Sequence, residues 1–494
     1  MATGIAWMSL MRIGIKCLGL ISTVVLVRLL VPADFGLIAM AMSVIAALEL
    51  LRAFNFDLAL IQNQGADRSF YDAAWTLDIL FGGLLGVLVL ALALPAAQFY
   101  GEPRLESVMH ALALGTFISG FENIGVVAFR KDLTFHKEFA LRVGQKLCAL
   151  AITLPLAFAL RSYWALVIGM VGGSLCGVLI SYVAHPFRPR LSLAATSQLL
   201  SFSKWLLAHD TVRFLRDRTP DFLIGRIAGP HALAMFSMGF EIASLPTTEL
   251  VSPINRAVLP AYAKMADNLE TLRRGFLDVI GLVALLALPA GFGIAATSGL
   301  IVATVLGDQW LAAIPLISVL AIFGGLNALT TNCGAVHLAL GRPRTAMMID
   351  VAHVAFLVPA LIWSGYYYGA IGVAWTYLAS VVLVSIPLSY AVTMARLGLP
   401  AKRVASLLWR PAVATALMYV VAYEAAERLR PGVAALLFVV ALAAATYAVA
   451  LVSLWLVAGQ PAGPEKTVAD RFVLPTWQRF AVRRVSAPTA SPPV

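Results

Sequence analysis

The sequence predicts an all-α integral membrane protein of about fourteen transmembrane helices, and three observations carry that reading. The 494-residue chain is 61% hydrophobic and only 12% charged, outside the composition of soluble domains. Apolar runs of about 20 residues, enough to cross a bilayer, recur from the N-terminus to residue 457. Basic residues alternate between the loops that join those runs.

In order, the runs are 5–29, 35–53, 73–97, 105–128, 139–160 and 163–184; then 200–225, 232–258, 276–304, 311–338, 345–365 and 369–395; and last 406–426 and 433–457. The first has no convincing cleavage site and a second span follows at once, so it reads as an anchor rather than a signal peptide. The eighth holds Pro246 and Pro253 and should kink. The ninth is long and fits a broken or re-entrant turn near Thr297-Ser298-Gly299.

Loops after even-numbered spans carry Arg130, Lys131 and Lys137; Arg188 and Arg190; Lys264, Arg273 and Arg274; Arg342 and Arg344; and Arg396, Lys402 and Arg403. Loops after odd-numbered spans are short and nearly bare. The positive-inside rule then places both termini and every even loop in the cytoplasm, and Arg12 and Lys16 agree. The net charge of +11 is therefore a topology signal, not a nucleic-acid footprint. The four cysteines (Cys17, Cys148, Cys176, Cys333) sit inside apolar runs without CxxC spacing and read as small core residues.

An internal repeat organises the spans. Arg28-Leu29-Leu30-Val31-Pro32-Ala33-Asp34-Phe35-Gly36-Leu37 aligns with Arg226-Ile227-Ala228-Gly229-Pro230-His231-Ala232-Leu233-Ala234-Met235, and Phe99-Tyr100-Gly101-Glu102 echoes Val305-Leu306-Gly307-Asp308 at nearly the same offset. Two six-helix bundles related by a parallel repeat, about an axis normal to the membrane, account for this. The resulting domains are an N-terminal lobe 1–185, a cytoplasmic linker 186–199, a second lobe 200–395, two added helices in 396–457, and a flexible Pro- and Ala-rich tail 458–494. Paired bundles suit alternating access, whereas a channel would more naturally be a multimer around one pore with a filter-like loop. No Walker A, HExxH or GxSxG motif is present, and no odd loop is long enough for a membrane glycosyltransferase or polymerase, so no enzyme is expected.

One stretch breaks the apolar pattern. Residues His209 to Asp221 contain six formal charges and a histidine in thirteen positions. At about 100° per residue, His209, Arg213 and Arg216 fall within roughly 60° of one another, with Asp210, Asp217 and Asp221 in the adjoining sector. By helix rise Arg213 and Arg216 lie about 20 and 15 Å from the turn at Arg226, which is mid-membrane depth. Such a face must look into protein or water. In the repeat alignment Arg213, Arg216 and Asp217 fall on Ile15, Leu18 and Gly19, so the duplicate helix does without these charges.

The segments Arg28–Leu37, Ala59–Gln62, Phe99-Tyr100, Phe129–Phe135, Asp221–Arg226, Ile254–Pro260 and Leu306–Trp310 resemble the polysaccharide transporter branch of the multidrug/oligosaccharidyl-lipid/polysaccharide exporter superfamily, which includes flippases of O-antigen and exopolysaccharide repeat units. The pattern departs where such proteins commonly show Leu-Gly-x-Tyr; Leu233-Ala234-Met235-Phe236 stands there instead. The resemblance implies two lobes forming a V around a cavity for an undecaprenyl-pyrophosphate-linked oligosaccharide, in the bacterial inner membrane. It implies no cofactor beyond H⁺ or Na⁺ coupling, and a polymerase and a chain-length regulator as partners. Alternatives are a cation-coupled multidrug exporter of the same superfamily and a non-transporting scaffold of polysaccharide assembly.

Arginine suits a lipid pyrophosphate, because its planar fork grips phosphate oxygens and stays charged. The candidate pyrophosphate ligands are Arg213 and Arg216, with Arg142 and Lys146 as an i, i+4 pair in the first lobe; the competing readings are neutralisation of Asp210 and Asp217, and topology signals beside a loop. Candidate coupling carboxylates are Asp217, Asp78, Glu122, Glu241 and Asp350, against simple salt bridges. Asn327 and Asn332 could meet sugar hydroxyls or bridge helices. Glu49 and Arg52 are spaced to pair, His353 to bond near Asp350, and Tyr366-Tyr367-Tyr368 to anchor at the interface. Alkaline phosphatase fused after Ser162 should be active and after Arg190 inactive; the opposite pattern would invert the topology.

Overall fold

The computed structural model describes residues 2–50, 60, 61, 63, 65, 67–194, 196, 204–461 and 463, with side chains except at 2–6, 9, 13 and 204–210. Every regular element among these residues is helical. The first half comprises α1 (Ala2–Leu29), α2 (Pro32–Glu49), α3 (Arg68–Tyr100), α4 (Arg104–Ser119), two short turns over Ile124–Lys131, α5 (Phe135–Leu160) and α6 (Trp164–Ala184). Next come α7 (Lys204–Leu245), a wide π turn Pro246–Val251, α8 (Ser252–Met265), α9 (Leu269–Ala296), short turns to Ala313, α10 (Ile314–Ala328), α11 (Thr331–Ala339), α12 (Pro343–Ser380) and α13 (Ile386–Leu397). Finally, α14 (Ala401–Arg428) and α15 (Val433–Val457) form an antiparallel pair.

Local chemistry sets these boundaries. Pro32 opens α2, where its missing N–H costs nothing. Asp67 caps α3 by accepting the Phe70 N–H at 3.1 Å, and Gly101 ends that helix at φ +68°. Gly229 (φ +78°) and Gly369 (φ +62°) break α7 and α12 into two limbs each. The π turn containing Pro246 lies where the eighth run was expected to kink, and Thr297 interrupts the ninth as read.

Ten described helical stretches are long and apolar enough to cross a bilayer, and the pair Arg104–Ser119 and Ile124–Lys131, bent by 67°, makes eleven. The count of fourteen is not reached by that measure. The helix α7 is too polar to qualify, and Pro343–Leu397 passes as one 55-residue stretch although Gly369 divides it.

The chain forms two compact units: Met1–Met238 with Val305–Leu316 and Val354–Thr376, and Gly239–Thr304 with Ile317–His353 and Tyr377–Val494. In the first, α1 packs on α5, α5 on α6, α6 on α4 and α4 on α3. Small residues permit these approaches: a Cβ on Gly82 would lie 3.0 Å from the Gly120 Cα. In the second, Tyr262, Leu272, Phe276, Ile280, Val283 and Leu397 build the core, and Gly291 and Gly325 let α9 and α10 nearly touch.

The first unit gathers the turns after all six odd-numbered spans of the repeat, and these interlock reciprocally. From the second half, Gln309 Nε2 and Trp310 Nε1 donate to backbone carbonyls closing α1, at 3.1 Å to Leu30 and 3.3 Å to Val27. Arg28 Nε returns a bond to the Val305 carbonyl at 3.2 Å, and fully buried Trp310 meets Phe35 edge-on at 5.6 Å. From the first half, Tyr100 stacks on Phe222 of α7 at 6.3 Å and lies against Gly225. Its hydroxyl is fixed by Ser43 at 2.8 Å. Between the two contacts the Pro230 carbonyl presses on Gly36, where a Cβ would come within 1.7 Å. Gly36→Ala should therefore destabilise the fold by about 3 kcal/mol, read as a lower thermal midpoint in detergent; an unchanged midpoint would mean that this approach is dispensable.

Candidate functional site

The charged face of α7 is ordered by helix spacing. Arg213 and Asp217 are one turn apart with Nε and Oδ2 at 3.6 Å, and Arg216 Nε donates to Asp217 Oδ1 at 2.9 Å. Arg218 pairs with the buried Asp221 at 3.0 Å. Among the described side chains, Arg213 and Arg216 thus share a single carboxylate. The Arg213 side chain is 66% exposed and Asp217 39%, so the group is not packed away inside protein. Asp217 is an observed counterion of both arginines, and the Asp210 side chain lies outside the described residues. Phe222 and Phe214 meet edge-on at 6.2 Å on the same helix.

Arg142 and Glu122, read separately from the sequence as a cargo ligand and a coupling carboxylate, belong to one network. Arg142 Nη1 lies 3.3 Å from Glu122 Oε1 and donates to Gln145 Oε1 at 3.1 Å. Gln145 Nε2 in turn donates to Glu122 Oε1 at 3.2 Å and to the Gly177 carbonyl at 3.3 Å. Glu122 sits in the break after α4, irregular backbone that is tolerated at membrane depth where protein or a cavity satisfies it. Lys146, beside Gln145, is half-buried.

The remaining candidates scatter. Asp78 is half-buried on α3, where its backbone carbonyl touches Gly120, and Glu241 is exposed on α7. Asn332 is fully buried, which removes it from any sugar-binding surface; Asn327 is half-buried. His353 Nε2 lies 3.3 Å from Ser380 Oγ across the helix break. Tyr366, Tyr367 and Tyr368 are exposed beside Trp363, as an aromatic anchor requires. The proposed Glu49–Arg52 pair falls partly outside the described residues. Among the described residues no three His, Cys, Asp or Glu side chains are grouped as metal ligands.

Sequence reasoning missed Asn123. Its backbone N–H donates to Ser181 Oγ at 2.9 Å, its Oδ1 accepts the Gly125 N–H at 2.9 Å, and its Nδ2 donates to the Phe187 carbonyl at 2.9 Å. The stretch after α6 is thereby strapped along the first lobe, with the Arg190 N–H on Asp72 Oδ1 and the Ser192 N–H on Thr76 Oγ1, both at 2.9 Å. Burial, reinforced by nearby Lys137, lowers the His185 pKa below its ordinary value, so the neutral ring accepts the Phe187 N–H at Nδ1. The local signal was an Asn following a broken span, which reads equally well as any cap. Asn123→Ala should cost about 2 kcal/mol in thermal stability, because it orphans buried backbone groups; no change would show that the strap is held elsewhere.

Comparison with known proteins places these features in a family. Residues 25–315, more than half of the chain, match the family described as "Polysaccharide biosynthesis protein". The chain is 25% identical over 418 residues to the lipopolysaccharide biosynthesis protein WzxC of Escherichia coli (strain K12), covering 83% of this chain and 84% of that one. It is 27% identical over 329 residues to the teichuronic acid biosynthesis protein TuaB of Bacillus subtilis (strain 168), covering 65% and 68%. Among solved structures, the lipid II flippase MurJ in an inward closed conformation superposes with a TM-score of 0.74 over 91% of this chain and 99% of that one, at 11% identity.

Proposed function

The chain belongs to the polysaccharide biosynthesis protein family, and from that membership we propose that it is a flippase carrying undecaprenyl-pyrophosphate-linked oligosaccharide repeat units across the bacterial inner membrane. The single observation that carries the reading is the Arg213–Asp217–Arg216 group, a cationic and accessible cluster on α7. The MurJ-like fold and the WzxC and TuaB relatives support a transporter of lipid-linked glycan over an enzyme.

The chemistry is an exchange of counterions. Without cargo, Asp217 neutralises part of the cluster, so no guanidinium stands bare at low dielectric. An arriving pyrophosphate displaces Asp217 and takes charge-assisted, forked bonds from Arg213 and Arg216. On release, Asp217 returns and lowers the cost of emptying the site. The pair Arg142–Glu122 offers the same exchange in the first lobe, with Lys146 one residue beyond Gln145 adding charge. The reciprocal interlock of the odd turns supports two pseudo-equivalent lobes, 1–185 and 200–395, rocking about a shared end. Basic even loops support cytoplasmic termini, and polymerase and chain-length regulator are the expected neighbours.

In proteoliposomes loaded with lipid-pyrophosphate oligosaccharide, Arg213→Ala with Arg216→Ala should slow translocation by about 100-fold, since each lost charge-assisted contact is worth about 1.5–3 kcal/mol. Unaltered polysaccharide output at normal expression would instead favour a scaffold. Asp217→Asn should tighten cargo binding while slowing turnover; weaker binding would show that Asp217 orients the arginines rather than competing with cargo.

A further inference from the structure

Beneath α8, in the second unit, lies a group of polar side chains whose bonding is incomplete. Asn332 on α11 is fully buried, yet neither its Oδ1 nor its Nδ2 has a hydrogen-bond partner among the described residues. Tyr262 on α8, 1% exposed, directs its hydroxyl towards Asn332 without reaching bonding geometry. Asn255, two turns earlier on α8, donates Nδ2 to Thr331 Oγ1 at 3.0 Å and leaves its Oδ1 unpaired. Around them the packing is otherwise mostly apolar, with Val258, Leu272, Phe276, Ala328 and Val336 all buried.

Unpaired buried polar groups cost about 1–3 kcal/mol each, and a bilayer supplies nothing to pair them. Four such atoms along one helix seam would outweigh any gain from placing amides there. Residues of the same size without polar atoms would fill the volume at no such cost.

We propose that this seam is a built hydration site, in which water bridges Asn332, Tyr262 and Asn255. The partners suit water. Asn332 offers N–H donors at Nδ2 and an acceptor at Oδ1, Asn255 Oδ1 accepts, and the Tyr262 hydroxyl does either, so both the O–H groups and the lone pairs of water find partners. A bare cation is the poorer occupant, because the Asn332 amide turns a donor towards the site and none of these side chains is a carboxylate. The nearby titratable groups are Cys333, buried on α11, and Asp278, exposed on α9. His337 is tied through Nε2 to Thr393 Oγ1 at 3.1 Å on the α13 side.

The site gives α8 a particular freedom. It follows a π turn, and its polar link to α11 consists of the single Asn255–Thr331 bond and bridging water. Water-mediated contacts re-form after a small slide, which direct side-chain bonds at fixed geometry do not. The seam can therefore shear without leaving a polar group bare.

Hydroxyl-radical footprinting by X-ray irradiation, with mass-spectrometric readout on the full-length protein in nanodiscs, tests this because bound water generates radicals in place. Tyr390 is the internal control: it is also buried, and its hydroxyl is bonded to the Leu329 carbonyl at 3.1 Å. Tyr262 should be modified about tenfold faster than Tyr390, and Asn332→Leu should bring it down to the Tyr390 rate. Equal rates in the unmodified protein overturn the proposal, and that comparison stands even if Asn332→Leu fails to fold. A Tyr262 rate unchanged in a folded Asn332→Leu protein overturns it as well.

Discussion

The structure depends on how the carbonyls at the end of α1 are satisfied. A helix leaves its last carbonyls without intrahelical partners, and near the membrane they cannot all turn to solvent. Here Gln309 and Trp310, almost three hundred residues later in the chain, supply the donors. The bond fastens the second half of the chain to the first at the turns after odd spans. Tyr100, lying over α7, provides the counterpart from the other half. Two chain segments that match in sequence each cover the helix end that belongs to the other, as expected of a duplicated unit meeting its copy about a two-fold axis. Gly36 is the point of closest approach, and its missing side chain is what lets the Pro230 carbonyl in.

Charge follows a second rule. Both partners of each ion pair on the proposed cargo route are partly accessible, whereas the local pair Arg218–Asp221 joins an accessible arginine to a buried carboxylate. Exposed pairs contribute little to stability, typically about 0–1 kcal/mol. As ion pairs alone, Asp217 and Glu122 therefore add little to stability. Their low contribution in the resting state is what would make them exchangeable.

Much of this was legible in the sequence because hydropathy and glycine or proline placement are local. The spans, the breaks at Gly229 and Thr297, the kink at Pro246 and the aromatic anchor all follow from short windows. Adjacency was not. Arg142 meets Glu122 across twenty residues and a broken span, and Asn123 reaches Phe187 across sixty-four. Hydrophobic periodicity says which face is apolar but not which neighbour covers it. The fourteen-span reading includes α7, whose charges keep it outside the apolar measure that finds ten or eleven spans among the described residues. Asn332 shows the converse: a polar residue in a span suggested cargo, yet it points into the core.

The exposed aromatics Trp363, Tyr366, Tyr367 and Tyr368 adjoin Gly369, the break that divides α12. Amphipathic rings of this kind hold their level at the headgroups. Rings at that level would moor the break at the lipid surface, while the limbs on either side pack within the protein. A thicker or thinner hydrocarbon layer would then act on those rings and on the angle at a glycine that has no side chain to resist. The lipid composition of the host would then set the strain under which the carrier works, much as a tether sets the tension in a sail.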